Sequence, residues 1–264
     1  MKNQILLLIT LVLLSSCAVT ESVTFNEDGS GEFLVSYDMG MFMAAMKSEM
    51  GGGVSSNPEK KGKVIDSTIV FNDVMEKYAD SVATLSKEKQ EAIKAMKNMF
   101  MNIEMNEDDN KMNMGIGLKF NSIEDLKDIG EKIAQAKKLS GTDSQSEVMK
   151  NTPIGKFMGD ESSQTDYTFN SSTFTRITTL SEDYNPNEME ALFDVNDEDD
   201  QEIKEKFSEA TYQVKLSFPK PIKTINVDQP EFSKDRKQVS YKVSWIEYLK
   251  NPKVLDLKVT FIDE

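Results

Sequence analysis

The residue types that could carry out nucleophilic, acid–base or metal chemistry are unevenly represented in this chain. It contains one cysteine, Cys17, no histidine and 45 acidic residues among its 264 residues. Without histidine the chain cannot form a Ser-His-Asp triad, a Cys-His pair or a metal site with a histidine ligand. The remaining enzyme classes use carboxylate pairs, a Ser-Lys dyad or an oxygen-ligated metal, and no spacing of residues indicates any of them. We therefore expect a protein that is not an enzyme and that uses no cofactor.

An acidic stretch at residues 194–205 (DVNDEDDQEIKE) is the nearest approach to a metal-binding motif. Five oxygen-bearing side chains have the spacing of a calcium loop: Asp194, Asn196, Glu198, Asp200 and Glu205. The position where such a loop needs glycine for its sharp turn is occupied by Asp199. Acidic residues in the first turn of a helix also occur without any metal, because they complement the helix dipole. We therefore predict no metal site.

Cys17 follows a segment of the kind that directs secretion. Lys2 supplies a positive charge, and residues 5–14 (ILLLITLVLL) are apolar except for one threonine. A secretory signal has an apolar run of about 7–15 residues, whereas a membrane-spanning helix needs about 20. We expect residues 1–16 to be a signal peptide and residues 17–264 to form the mature protein.

The order Leu14-Ser15-Ser16-Cys17 resembles the lipobox of bacterial lipoproteins. The resemblance implies that Cys17 is the lipidation site: its sulfur is diacylated, it becomes the N-terminus after cleavage, and its amine is then acylated, commonly with palmitate. Two or more acyl chains hold a protein stably on a bilayer. An ordinary signal peptide with an unrelated cysteine is the other interpretation. It is disfavoured because Cys17 lies where a cleavage site belongs.

The residues after Cys17 bear on where such a lipoprotein would reside. Ala18, rather than an aspartate, follows the cysteine, and resemblance to the sorting rule of enteric bacteria then implies the outer membrane. The next residues lack the acidic cluster of some surface-exported lipoproteins, which favours the periplasmic face. The formal net charge of −14 opposes binding to nucleic acid, because an acidic chain repels phosphate backbones. The expected contact with the membrane is therefore through the N-terminal lipid.

Alternation of apolar and polar residues with a period of two predicts many strands. Hairpins are predicted around the turns at residues 26–31 and 107–110, a further hairpin or a bent strand within residues 165–180, and three further strands toward the C-terminus. The last three contain these alternating series: Tyr212 to Phe218, Val239 to Trp245, and Leu255 to Phe261. Helical patterns lie between the strands, at residues 71–85, from Ser86 and from Ser122. This order predicts an α+β fold, a curved antiparallel sheet with helices packed on one face. The loop at residues 140–164 either divides two subdomains or lies beside a single fused sheet.

A methionine-rich segment at residues 38–50 (DMGMFMAAMKSEM) is unusual. Met39, Met43, Met46 and Met50 are spaced by four, three and four residues, which is one face of an α-helix. Core packing is the commonest role of such a face, since methionine is an adaptable apolar filler. A binding site for an apolar ligand or for a partner protein of the envelope is the second interpretation. Cu(I) coordination by thioethers is the third.

Several of these features together resemble a family of Bacteroidetes-type envelope lipoproteins, for which no catalytic residues are established. They are the LSSC lipobox, the early VTFNEDGSGEF hairpin, the methionine-rich segment and the ending from YQVKLSFPKPIKTI to SWIEYLKNP. The resemblance implies a non-catalytic cell-envelope lipoprotein with a binding or structural role. The alternatives are a protein that binds an apolar ligand or lipid, and a carboxylate-based hydrolase of envelope glycans. The sole tryptophan, Trp245, alternates with Val243 as a core residue would, so it favours no sugar-binding platform.

Overall fold

The computed structural model describes residues 17–40, 62–133, 163–182, 184–186 and 208–262. The strands, in chain order, are β1 (Cys17–Phe25), β2 (Gly31–Asp38), β3 (Val64–Val70), β4 (Met99–Asn106), β5 (Lys111–Phe120), β6 (Ser163–Phe169), β7 (Thr173–Leu180), β8 (Thr211–Ser217), β9 (Ile222–Ile225), β10 (Glu231–Phe232), β11 (Gln238–Ser244) and β12 (Leu257–Phe261). The helices are α1 (Phe71–Lys77), α2 (Ala79–Ala83), α3 (Lys87–Ala95) and α4 (Trp245–Lys250). Two 3₁₀ turns, Ile123–Leu126 and Pro252–Leu255, are also described, and residues 129–133 are helical.

The strands form two sheets. The larger sheet has eight strands in the order β10-β11-β8-β1-β2-β5-β4-β3, and the smaller has four in the order β6-β7-β12-β9. After β7 the chain alternates between them, since β8, β10 and β11 join the larger sheet and β9 and β12 the smaller. The strands that follow residues 140–164 are therefore divided between both sheets, which share one hydrophobic core.

The predicted α+β class is confirmed, and the two predicted hairpins are present as β1–β2 and β4–β5. Residues 165–180, predicted as a hairpin or a bent strand, belong to the hairpin β6–β7. In the first hairpin the Asn26 amide donates to the Ser30 carbonyl at 2.8 Å. Gly29 has a φ of 84°, a conformation that glycine adopts without a steric penalty. The residues predicted to face inward do so: Val23, Phe25 and Phe33 are almost fully buried.

One pair of strands differs from the predicted antiparallel arrangement. β1 runs parallel to β8, so the larger sheet is mixed. Alternation in sequence specifies which face of a strand is buried, but it carries no information about the direction of its neighbour. In a hairpin the short turn fixes the relative direction of the two strands. β1 and β8 are instead separated by most of the chain.

The helices differ from their sequence patterns at two places. The apolar stripe predicted along residues 71–85 lies on α1 and α2, which have no buried residue, and Val74, Tyr78 and Leu85 are exposed. Trp245 was predicted to end a strand, but it is the first residue of α4. Its predicted core position is correct, since it is 1% exposed. The Trp245 amide still donates to the Ala210 carbonyl, as the next bond of the β8–β11 ladder would, and the chain then turns into a helix.

The smaller sheet covers one half of the inner face of the larger sheet. A cluster of phenylalanines joins the two, with Phe25 stacked on Phe169 at a centroid distance of 4.1 Å and Phe174 at 5.3 Å from Phe218. The other half of that face, on β4 and β5, is lined by methionine and isoleucine. We call this surface the methionine face: Met99, Met101, Ile103, Met105, Met112 and Met114.

Candidate functional site

Cys17, the predicted lipidation site, is the first residue of β1. It pairs with Thr211 of β8, and Val19 pairs with Tyr212 on the same side and with Tyr37 of β2 on the other. A register irregularity lies between Cys17 and Val19. The predicted attachment point is thus continuous with a strand held between two neighbours.

Of the four methionines predicted to form a ligand-binding stripe, the structure describes one. Met39 is 4% exposed, and its amide donates to the Met112 carbonyl at 2.7 Å. Met43, Met46 and Met50 lie outside the described residues. Met39 extends β2 by one position and joins the core beside the methionine face.

The methionine face changes in exposure along its length. Met99 and Met101 are only 0% and 9% exposed, whereas Met105, Met112 and Met114 are only partly buried. The register aligns Met105 with Met112 and Ile103 with Met114, so the partly buried side chains are neighbours. Unbranched thioether side chains adapt to varied shapes, and this end of the face could therefore contact an apolar group.

A pair of opposite charges is buried between the two sheets. Glu21 of β1 is 2% exposed and Arg176 of β7 is 3% exposed. The Arg176 guanidinium donates through Nε and Nη2 to the two carboxylate oxygens of Glu21, at 3.0 and 3.1 Å. This bidentate geometry is the strongest arrangement of a charged hydrogen-bonded pair.

Other side chains complete the hydrogen bonding of this pair, and together with it they form what we call the inter-sheet network. The hydroxyls of Tyr167 and Tyr212 each donate to Glu21 at 3.0 Å. Arg176 Nη1 donates to the Thr178 hydroxyl at 3.0 Å and lies 3.8 Å from Asp256 Oδ1. Within the described residues every buried side-chain nitrogen and oxygen has a hydrogen-bond partner.

The environment fixes the protonation state of each group in the network. Burial alone raises the pKa of Glu21, but the Arg176 guanidinium and the tyrosine hydroxyls outweigh it and hold that pKa below its usual value. Burial lowers the pKa of Arg176, and the Glu21 carboxylate more than compensates, so that pKa lies above its usual value. Burial and the same carboxylate raise the pKa of the Tyr167 and Tyr212 hydroxyls. Glu21 is therefore ionised and both tyrosines remain proton donors, an arrangement suited to holding the sheets together.

Glu21 and Arg176 were not among the residues predicted from the sequence, although a signal was present. Glu21 occupies an inward position of β1 between Val19 and Val23, and Arg176 occupies an inward position of β7 after Phe174. A charge at a core position needs a partner of opposite sign, because an unpaired charge is costly to bury. Two such residues of opposite charge could have been paired from the pattern alone.

An open hollow of about 300 Å³ lies on the outer, polar face of the larger sheet. Its lining includes Thr20, Ser36, Asp38, Asn102, Glu104 and Asn113. Gly115 forms part of it, and a Cβ there would come within 3.0 Å of the Leu34 side chain. Several of these groups bond to one another or to neighbours, as Asn113 does to Glu104 and Thr68 to Asn102. Part of the polar lining of the hollow is therefore already engaged in internal hydrogen bonds.

The described part of the chain contains no cluster of three or more cysteine, aspartate or glutamate residues able to hold a metal ion. The acidic stretch at residues 194–205 lies outside it. Among the same described residues, no helix is both long and apolar enough to span a bilayer.

Comparison with known proteins identifies no relative. No protein-family model matches the chain, and no curated protein matches it. Among solved structures, the folded domain of the Mycobacterium tuberculosis LppM protein aligns with a TM-score of 0.32 and 10% identity. The alignment covers 93% of this chain and 90% of that one. A TM-score this low does not establish a shared fold, so the alignment says nothing about what this chain does.

Proposed function

We propose that this chain is a lipoprotein of the bacterial cell envelope, anchored through acylated Cys17 and having a non-catalytic binding or structural role. The observation that carries the proposal is the order Leu14-Ser15-Ser16-Cys17 at the end of the apolar run of residues 5–14. Cleavage between Ser16 and Cys17 would make Cys17 the N-terminal residue of the mature chain. The apolar segment and the small residues before Cys17 supply the signal for that cleavage.

Acylation can be tested by expressing the full-length chain in a Gram-negative bacterium supplied with an alkyne-tagged palmitate. The wild-type protein should incorporate the tag and float with membranes, whereas Cys17→Ala should do neither. Ser15→Ala is the matched control, because it keeps a small residue before the cysteine and should behave as the wild type does. An untagged wild-type protein would refute the anchor.

Within this proposal, the anchor lies in the outer membrane and the protein faces the periplasm, as the residues after Cys17 imply. Density-gradient separation of inner and outer membranes checks the first point. Protection from protease in intact cells, with digestion after the outer membrane is permeabilised, checks the second. Digestion in intact cells would instead place the protein at the cell surface.

A second candidate function is binding of an apolar ligand or lipid at the methionine face. The supporting observation is that Met105, Met112 and Met114 are adjacent and only partly buried. Protein purified from the envelope should then carry extractable lipid detectable by mass spectrometry. Met112→Asn should release it, whereas Asn113→Ala, which changes the next residue on the opposite face, should retain it. A lipid-free wild-type protein would contradict this candidate.

A further inference from the structure

The segment between the proposed lipid anchor and the folded body is too short to act as a tether. Cys17 itself belongs to β1, and Val19, two residues later, is paired on both sides, with Tyr37 and with Tyr212. A flexible chain of n residues spans about 5–6 Å × √n, so one intervening residue adds only about 5–6 Å. An acylated Cys17 would hold the sheet against the lipid headgroups.

The pairing register shows which surface would face the bilayer. Val19 is level with Tyr37, and Tyr37 is level with Met114 of β5. At the level of Cys17, two residues before Val19, the residues paired across the sheet lie near the ends of their strands and beside the β4–β5 turn. On the other side of β1, Thr211 and Ser244 lie level with Cys17, so α4 follows at this end as well. We call this surface the anchor-side end: Asp38, Lys63, Val64, residues 107–111, residues 208–210 and α4.

The opposite end of β1 is far from this surface. β1 is 9 residues long, which at about 3.3 Å per residue places Phe25 about 26 Å from Cys17. The turn at residues 26–30, with exposed Glu27 at its tip, follows directly. This turn would point away from the membrane.

The chemistry of the anchor-side end indicates which lipid surface it suits. It combines Val64, which is 67% exposed, with the acidic residues Glu107, Asp108 and Asp109 of the turn, whose negative charge Lys63 and Lys111 offset only in part. The turn is held in place because the Gly62 amide donates to Asp108 and the Lys63 amide donates to Glu107, at 3.1 and 2.8 Å. A fixed acidic edge is repelled by anionic lipids and tolerated by zwitterionic headgroups.

We infer that the anchor-side end lies directly on a surface of zwitterionic lipid, with the strands of the larger sheet rising from the membrane and the turn at residues 26–30 pointing away from it. This inference rests on the proposed acylation of Cys17. It adds a fixed orientation of the protein relative to the membrane. Acylation alone would not impose one, since a protein on a flexible tether has no preferred orientation.

The orientation can be measured with two single-cysteine labels on the full-length lipidated protein, because acylated Cys17 leaves no other thiol. Val64→Cys places a fluorophore at the anchor-side end, and Glu27→Cys places one at the far turn. Both positions are exposed. In phosphatidylethanolamine–phosphatidylcholine vesicles with a quencher on the lipid headgroup, the Val64→Cys label should lose most of its emission and the Glu27→Cys label little.

A linker variant provides the matched control. Insertion of about twelve Gly and Ser residues between Cys17 and Ala18 creates a tether of about 20 Å, so quenching at Val64→Cys should fall toward that at Glu27→Cys. Partial replacement of the lipid by phosphatidylglycerol should also weaken quenching at Val64→Cys in the protein without the linker.

The outcomes separate the inference from the proposal on which it rests. Failure of the protein to float with the vesicles would refute the lipid anchor itself. Flotation with equal quenching of the two labels would refute the orientation and leave the anchor intact. Stronger quenching at Val64→Cys in the presence of phosphatidylglycerol would refute the preference for zwitterionic lipid.

Discussion

At the scale of single residues, Glu21 and Arg176 are the most consequential side chains that the structure describes. Both are buried, they belong to different sheets, and each compensates the charge of the other. Such a pair adds little net stability compared with a well-packed apolar pair, because both charges lose their hydration. Removal of one partner is costly, since the other is then left buried without compensation.

Glu21→Gln should therefore lower the free energy of unfolding by roughly 3–5 kcal/mol, the range for breaking a buried ion pair. Urea denaturation followed by circular dichroism measures the change. Glu104→Gln is the matched control, because Glu104 bonds to Lys111 at a half-exposed site and its loss should change stability little. Equal effects of the two substitutions would show that burial does not determine the contribution of the pair.

The same pair predicts a dependence of stability on pH. Glu21 has a lower pKa in the folded chain than in the unfolded chain, where it is about 4.3. Its contribution is fully present above the unfolded-state value and is lost as the pH falls through the folded-state value. Thermal unfolding between neutral pH and strong acid should show a steeper loss of stability for the wild type than for Glu21→Gln. Parallel curves for the two proteins would contradict this assignment.

At the scale of secondary-structure elements, close packing between neighbouring strands depends on particular glycines. Gly31 begins β2, where a Cβ would clash with the Thr24 carbonyl oxygen and with the Phe120 ring. Only a residue without a side chain allows β1, β2 and β5 to approach one another at this point.

Gly31→Ala should destabilise the protein by about 1–3 kcal/mol, the usual cost of overpacking. Gly130→Ala should instead stabilise the protein by up to about 1 kcal/mol, because Gly130 is helical and alanine has the higher helix propensity. A Cβ at Gly130 meets no atom within 4 Å. Thermal melts of both variants beside the wild type measure the difference, and a stable Gly31→Ala protein would contradict the packing described here.

The elements also show how far the sequence specifies this fold. The hairpins and their inward faces could be predicted, because short turns and alternating residues act locally, as in Val23, Phe25 and Phe33. The parallel β1–β8 pair could not, since it joins distant segments. The apolar stripe through Val74 and Tyr78 was misleading for a related reason: helical spacing shows that a face exists but not that another element covers it.

The candidate site was predictable only in part. Cys17 could be singled out because a cysteine after an apolar leader is a local signal. The Glu21–Arg176 pair depends on two strands from different sheets, so either residue alone resembles a tolerated polar residue in a strand. Their partners, Tyr167 and Tyr212, look like ordinary core aromatics in sequence.

At the scale of the whole molecule, the two sheets behave as parts of one core. Phe174 of the smaller sheet is fully buried. It packs with Phe25 and Phe218, which lie on the side of the core that the larger sheet forms. Together with the inter-sheet network, these contacts leave neither sheet an independent hydrophobic interior. We therefore expect a single cooperative unfolding transition.

The fluorescence of Trp245 and the far-UV circular dichroism should give the same urea midpoint. Phe174→Ala should lower both midpoints together and cost about 3–5 kcal/mol, as expected for a fully buried phenylalanine. Ile177→Ala, on the same strand but at a position 52% exposed, should have little effect. Two separate midpoints would show that the sheets unfold independently.

The position of β1 also sets an order of events during synthesis. Its residues are the first of the body to be translated, yet Glu21 meets Arg176 across 155 residues of chain and Tyr212 across 191. Pairings between such distant segments form slowly, because a long loop must close before the contacts stabilise it. If the chain is exported as proposed, β1 keeps its carboxylate unmatched until Arg176 has crossed the membrane and one edge unpaired until β8 has crossed. The segment that would attach first therefore completes its pairing only after β8 has crossed, and a chaperone that shields an exposed strand would act there.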